Sequence, residues 1–413
     1  MKKGLLILLA VAFISIIPQK TYANDEAANS IAFKDVPATH WAYTYVMEAV
    51  QKGIVKGFPN GVFKPNDPVT VAQFLQMMFL SMSEKDENGK LYWAKDQLAL
   101  VPEWVIDRLY DPDINFTQGK PWYINYEKSA KALGIIRNGE YDGRFNEYLT
   151  RERAAWIING LDDYFHGPVN DSYAKVAAAQ LFKDLNRALD DSYRNVIAKV
   201  AIRGIMTGNN SYFNPTASIT RAEAVKIVSL LPNASMRSPA KLNLAGVSYS
   251  TVPQPGYGEG IFVFANAEMK KVYDTLRSSQ SSYDGVVDNA YAHLGYYQND
   301  EMKKKAFNQN FYLDFNDQDI YDDLNIGFTG NNYGISLGIK PGFSERASKP
   351  LNDMLDILFK DPAPVKKLID TAVTSSRDSY QVNIKKTFES REILIYSTGR
   401  KFIGISIGAY GDK

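Results

Sequence analysis

The feature that most constrains this chain is an internal repeat. Three Gly-Ile pairs, Gly53-Ile54, Gly134-Ile135 and Gly204-Ile205, are each followed sixteen or seventeen residues later by a threonine. The threonines open the runs Thr70-Val71-Ala72-Gln73, Thr150-Arg151-Glu152-Arg153 and Thr220-Arg221-Ala222-Glu223. Trp41 and Trp122 each stand twelve residues before their glycine, and the third repeat has Ser192 there, with Tyr193 beside it. A short unit cannot bury its apolar face alone, so a repeat of this kind predicts several units packed into one body.

Each unit reads as helix, loop, helix. Ala42, Tyr45, Val46, Ala49 and Val50 follow the spacing of an amphipathic helix, and Val196, Ile197, Val200 and Ala201 repeat it. Gly53, Gly134 and Gly204 then fall where a left-handed helix end is wanted. Polar turns follow (Phe58-Pro59-Asn60-Gly61, Asn138-Gly139 and Gly208-Asn209-Asn210), and Phe63, Phe145 or Phe213 closes each loop as a plug into the core. The threonine starts the second helix. Thr220 with Glu223 makes a capping box and Thr70 with Gln73 a variant of it, whereas Thr150 with Arg153 lacks the reciprocal acceptor.

Phe33-Lys34-Asp35-Val36, His40-Trp41-Ala42, Gly53-Ile54-Val55-Lys56-Gly57-Phe58, Phe63-Lys64-Pro65 and Thr220-Arg221-Ala222-Glu223 together resemble the S-layer homology family, whose pattern runs F-x-D-V, H-W-A, G-I-x-x-G, F-x-P and T-R-A-E. The resemblance covers about half of the chain and divides it into repeats at 31–82, 83–165 and 178–231, the second divergent and carrying an insertion. It implies an all-α body with pseudo-threefold symmetry and grooves between the repeats. It also implies a partner: secondary cell-wall polysaccharide, associated with peptidoglycan and often bearing pyruvate ketals.

The residues give that implication a chemistry. Arginine at a helix start offers a planar, permanently charged fork for a carboxylate, backed by the backbone N–H groups of the same helix start. Arg151 and Arg221 match this role, and the Gly53, Gly134 and Gly204 loops permit close backbone approach. Trp41 and Trp122 either lie against a sugar face or pack as core residues. Asp35 and Asp184 read as helix N-terminal caps or turn formers rather than ligand contacts, with the cap favoured. Repeat one has Val71 where the family has arginine and repeat three lacks the tryptophan, so one or two working grooves are expected, not three. Trp93, Leu98 and Trp104 in the insertion are expected to form an added helix covering the body. His40, His166 and His293 are isolated in the sequence and are assigned no chemistry.

Export is also legible. Lys2 and Lys3, an apolar run from Leu5 to Ile17, and small residues at Thr21 and Ala23 predict a secretory signal over 1–23, which leaves no membrane segment after cleavage. There is no cysteine, which excludes disulfides and thiolate metal sites. The net charge of +1 carries no electrostatic footprint for nucleic acid.

Residues 232–241, with Pro232, Ser235, Ser238 and Pro239, read as a linker to a second domain at 242–413. Alternating segments at Ile261–Ala265, Phe311–Phe315, Tyr333–Ile339, Ile393–Tyr396 and Phe402–Ile407, with helices after Asn266 and around Leu351–Leu358, predict an α+β fold with a mainly antiparallel sheet. The acidic stretch Asp314, Asn316, Asp317, Asp319, Asp322, Asp323 fails the calcium-loop template and reads as a solvated loop. No catalytic motif, metal site or cofactor is predicted. The whole therefore reads as a secreted protein held noncovalently at the cell wall, with a C-terminal interaction or structural domain; the alternative is a wall-anchored hydrolase.

Overall fold

The computed structural model describes residues 32–310, 322–339, 342–378, 381–397 and 402–408. The expected signal segment at 1–23 and the strand expected at Phe311–Phe315 lie outside them. Among the described residues the chain builds two large hydrophobic cores, one drawing on residues from Phe33 to Leu231 and the other on residues from Val252 to Ile407, with a small cluster of Ala174, Ala177 and Ala198 beside them.

The first half runs α1 (Tyr43–Gln51), α2 (Val71–Ser81), β1 (Ser83–Lys85), β2 (Leu91–Trp93), α3 (Lys95–Leu98), α4 (Glu103–Leu109), α5 (Ile124–Ala132), α6 (Arg151–His166), α7 (Asp171–Leu181), α8 (Asp191–Ile202) and α9 (Arg221–Leu230). Gly53, Gly134 and Gly204 follow α1, α5 and α8 with φ of +72°, +67° and +69°, a conformation that costs glycine alone no strain. Thr70 and Thr220 close complete capping boxes with Gln73 and Glu223, while Thr150 receives only the Arg153 N–H. Phe63, Phe145 and Phe213 are buried.

Three extended residues ahead of α2, α6 and α9 meet in a closed ring. The N–H of Val69 donates to the Ile219 carbonyl at 3.0 Å, that of Ile219 to Leu149 at 2.9 Å, and that of Leu149 to Val69 at 2.9 Å. All three side chains are fully buried. The ring satisfies three backbone donors in the dry centre of the body, where an unpaired one would be costly, and it fixes how the three second helices start relative to one another.

Two expectations are corrected here. The insertion is not one added helix: β1 and β2 pair antiparallel, so the half is not purely helical. An Asp86 turn closes that hairpin, its carboxylate accepting the N–H groups of Asn88 and Lys90 at 2.9 and 2.8 Å, with Gly89 at φ +77°. Trp93 sits on β2, buried against Phe116 and Phe165, and Trp104 sits on α4 at 54% exposure. Asp35 and Asp184 cap no helix. They accept the N–H groups of Phe63 and Lys64, and of Phe213 and Asn214, at 2.7–2.9 Å, and so hold the plug loops. For Asp35 burial pushes the carboxyl up, but these backbone donors outweigh it and leave it below the usual carboxylate range.

The segment at 232–241 is tied to the first body. A Cβ on Gly204 would lie 2.2 Å from the Ser238 carbonyl carbon, so this glycine also serves close packing. Arg237 reaches Asp162 at 2.8 Å, and Arg203 pairs with the same fully buried carboxylate and with Asp163 at 3.0 Å. His166 Nδ1 lies 2.9 Å from Asp162. Burial alone would raise the Asp162 carboxyl, but Arg203, the His166 hydrogen bond and Arg237 hold it well below the ordinary range; burial pushes neighbouring Asp163 up to about 6.

The second half comprises β3 (Tyr249–Gln254), β4 (Gly258–Val263), α10 (Ala267–Ser278), β5 (Val286–Ala290), β6 (His293–Tyr297), α11 (Asp300–Asn310), β7 (Asp322–Thr329), β8 (Asn332–Gly338), α12 (Phe343–Leu358), α13 (Ala363–Asp378), β9 (Val382–Phe388), β10 (Arg391–Ser397) and β11 (Phe402–Gly408). A seven-stranded antiparallel sheet has the order β5-β6-β7-β8-β11-β10-β9, with residues of α10, α12 and α13 in its core. The expected acidic loop is corrected where it is described. Asp322 and Asp323 belong to β7, and Asp323 is fully buried, bound by Arg346 and the Tyr283 hydroxyl. The β3–β4 hairpin pairs by itself and reaches back to the first half. Tyr257 donates to the Tyr164 carbonyl and Gln254 to that of Pro168, both at 2.8 Å.

Candidate functional site

Three clefts on the first body are each lined by a loop that follows one of the helix-ending glycines and by residues of neighbouring helices. Their charges differ.

In the cleft of about 710 Å³ beside Gly53, the loop Gly53–Lys56 and Gln73 of α2 face Arg221 at the start of α9. Arg221 Nε donates to the Phe63 carbonyl at 3.0 Å and Nη2 to the Lys56 carbonyl at 3.1 Å, with the guanidinium over the Phe63 ring at 4.6 Å. Among the described residues no carboxylate lies within ion-pair distance of it. Burial lowers its pKa somewhat, with the fields of Asp67 and Asp35 opposing. The result is an oriented guanidinium, half-buried, with donors left over and its charge uncompensated by a bound acid.

In the cleft beside Ile205, Met206 and Thr207, the same construction is repeated by Arg151. Its Nε donates to the Phe213 carbonyl at 2.8 Å and Nη2 to Thr207 at 3.4 Å. Here the third helical position is Glu223, which takes Arg151 Nη1 at 2.6 Å. The cleft is small, about 140 Å³, and Trp41 and Lys226 complete it. Trp41 is 56% exposed, which excludes it from the core. Replacing Glu223 by glutamine should retain the cap, as Gln73 does in α2, and release Arg151; anion binding by this cleft is expected to rise severalfold in a titration. No gain would show that the ion pair does not limit it.

The third cleft, about 500 Å³, lies between the Arg137–Glu140 loop, α6 and the start of α8. Val71, buried, occupies the position of the helix-start arginine. Arg153 stands where the other units have Gln73 and Glu223.

The expected site residues thus separate. Gly53 and Arg221 share one cleft, and Trp41 and Arg151 share another. Trp122 is half-buried, edge-on to Tyr123 at 5.6 Å, and neither it, Gly134 nor Gly204 lines a described cleft. Sequence reasoning did not single out Arg137, Arg153 and Trp156 as residues lining a cleft, nor the third helical residue as the group that faces the arginine. The signal was present in the aligned Gln73, Arg153 and Glu223.

The S-layer homology domain family model matches residues 32–75 and 181–225, the segments that carry α1 with the start of α2, and α8 with the start of α9. The chain carries S-layer homology domains. It is 24% identical over 56% of its length to an endoglucanase of Bacillus sp., covering 22% of that protein. It is 26% identical over 49% of its length to the S-layer protein sap of Bacillus anthracis, covering 21% of it. A shorter stretch, 17% of the chain, is 36% identical to the outer membrane protein SlpA of Thermus thermophilus, covering 8% of it. The chain therefore spans less than a quarter of these relatives. The domain and its S-layer and surface relatives support a cell-surface, cell-wall location. Among the described residues no helix is long and apolar enough to cross a membrane, and no group of acidic or histidine side chains is set to hold a metal ion.

Proposed function

We propose that this protein is exported and held noncovalently at the cell wall, with the Gly53–Arg221 cleft gripping a carboxylate-bearing sugar of the secondary wall polysaccharide, such as a pyruvate ketal. In this reading residues 83–165, with their insertion, serve as the middle unit of a three-unit body with pseudo-threefold symmetry, and 242–413 is the cargo. The observation that carries the reading is Arg221: two backbone carbonyls fix its plane, among the described residues no acid forms an ion pair with it, and a cleft of about 710 Å³ lies before it. A carboxylate docking there would receive charge-assisted bonds from a fork oriented before binding, which limits the entropy lost. Gly53 leaves the loop side open, since nothing lies within 4 Å of the position a Cβ would take.

Polysaccharide released from walls should displace the bound chain, whereas a neutral glucan should not; displacement by both equally would remove the carboxylate from the account.

The endoglucanase relative keeps a second reading in view, a wall-anchored hydrolase with catalysis in 242–413. Against it, two carboxylates that reach into that domain's core are bound to guanidiniums, Asp323 to Arg346 and Glu268 to Arg391. We favour a non-enzymatic interaction domain.

A further inference from the structure

We propose that Asn138 is a site of spontaneous deamidation, singled out because the turn that carries it leaves the neighbouring Gly139 N–H free to react. The chain holds four Asn-Gly pairs, Asn60-Gly61, Asn88-Gly89, Asn138-Gly139 and Asn159-Gly160. A glycine after asparagine has no side chain to obstruct the approach of its own nitrogen to the asparagine side-chain carbonyl, so these pairs are the most reactive in an unfolded chain. The fold separates them. Asn159-Gly160 lies inside α6, where the helical ladder takes the Gly160 N–H, and Asn159 is buried and donates to Asp163 at 2.9 Å. In the turns at 58–61 and 86–89 the glycine is the fourth residue. Its N–H closes the turn, on the Phe58 carbonyl at 3.0 Å and on the Asp86 carbonyl at 2.9 Å. In the turn at 137–140 the pair stands one position earlier. Gly139 is the third residue, with φ +80°, and Glu140 gives the closing N–H to the Arg137 carbonyl at 3.2 Å. Among the described residues the Gly139 N–H donates to no acceptor.

Exposure does not distinguish the three turns, because Asn60, Asn88 and Asn138 are all exposed. The reacting nitrogen does. Once the Gly139 nitrogen has given its proton to hydroxide, it attacks Cγ of Asn138. The N–Cγ bond forms, the Cγ–Nδ2 bond breaks, and Nδ2 leaves as ammonia with a proton from water. Water then opens the cyclic imide at either carbonyl, to aspartate or to isoaspartate. An amide and a water become an acid and an ammonia, with no change of oxidation state. At Gly61 and Gly89 the same nitrogen must first release its carbonyl. Both turns are pinned further: the Gly61 carbonyl accepts the Lys34 N–H at 3.0 Å, and the Asp86 carboxylate accepts the Asn88 N–H at 2.9 Å. Asn138 lines the cleft of about 500 Å³ with Arg137, Glu140 and Arg153, so the reaction adds a carboxylate to that wall as the protein ages.

The test incubates the full chain in mildly alkaline bicarbonate buffer, native and in concentrated urea. Peptide maps read by mass spectrometry follow the mass gain from amide to acid at each of the four asparagines. In the native chain Asn138 is expected to convert about twofold to tenfold faster than Asn60 and Asn88, the scale of one backbone hydrogen bond that must open first. Asn159 should stay an amide. In urea Asn60, Asn88 and Asn138 should converge, which assigns the native difference to the turns and not to the flanking residues. Isoaspartate is expected beside aspartate at position 138, whereas aspartate alone would mean direct hydrolysis and remove the attack by Gly139. Asn138→Gln, whose longer side chain closes a ring far more slowly, should stop most of the acidic drift seen by isoelectric focusing. Equal native rates at the three turns, faster conversion at Asn60 or Asn88, a native Asn138 that stays an amide, or a rate difference that persists unchanged in urea overturns the proposal.

Discussion

Replacing Asp162 by asparagine is expected to destabilise the first body by about 3–5 kcal/mol, because it strands two buried cations. Arg203 and Arg237 both terminate on this carboxylate, and their side chains are 9% and 5% exposed. One comes from α8 and the other from the segment that leads to the second half, so the loss should also free residues 232–241 to proteolysis. Urea unfolding followed by tryptophan fluorescence reads the first effect, since Trp93 is buried in this core; a loss under about 1 kcal/mol would contradict it. The pH course has a definite sign. A carboxyl held below its unfolded value near 3.8 contributes fully above that pH and loses its contribution only as pH falls further. The wild type should therefore keep the Asp162 contribution down to about pH 4, and the variant should lack it throughout.

The second large effect concerns binding. Arg221→Gln should weaken attachment to walls about tenfold to a hundredfold, the range of a charge-assisted contact. Arg151→Gln should cost much less. Both arginines occupy the first turn of a helix, both touch two carbonyls, and both lie over a phenylalanine. What separates them is Glu223, which already occupies Arg151 at 2.6 Å. Equal losses in the two variants would show that the internal ion pair opens on binding and does not set the ranking.

Much of the first half was legible because its signals are local. Glycines at helix ends, threonine caps and 3.6-residue apolar spacing act within a few residues and survive transfer into the fold. The ring through Val69, Leu149 and Ile219 was not legible, because it joins residues up to 150 positions apart by backbone alone. The difference between the grooves was hidden for a related reason. Arg151 and Arg221 look alike in their own segments, and only the partner brought across the cleft, a glutamate or a glutamine, distinguishes them. Trp93 was assigned to a helix because aromatic and apolar residues at 91–104 fit either period, and the Asp86 turn that makes it a strand lies outside that window. In the second half β10 and β11 could be read from alternation. β5, β6 and β9 could not, since they carry polar residues or glycine at positions a clean alternation would make apolar. Asp323 looked like one of a solvated series; its partner Arg346 comes from α12, beyond the reach of a local reading.

The central claim is tested most directly by a sedimentation isotherm of the full chain on purified wall sacculi, before and after extraction of the secondary polysaccharide. Saturable binding to intact walls that disappears after extraction is the predicted result. Binding unchanged by extraction, or none to intact walls, would contradict the claim that this body anchors the protein through that polymer.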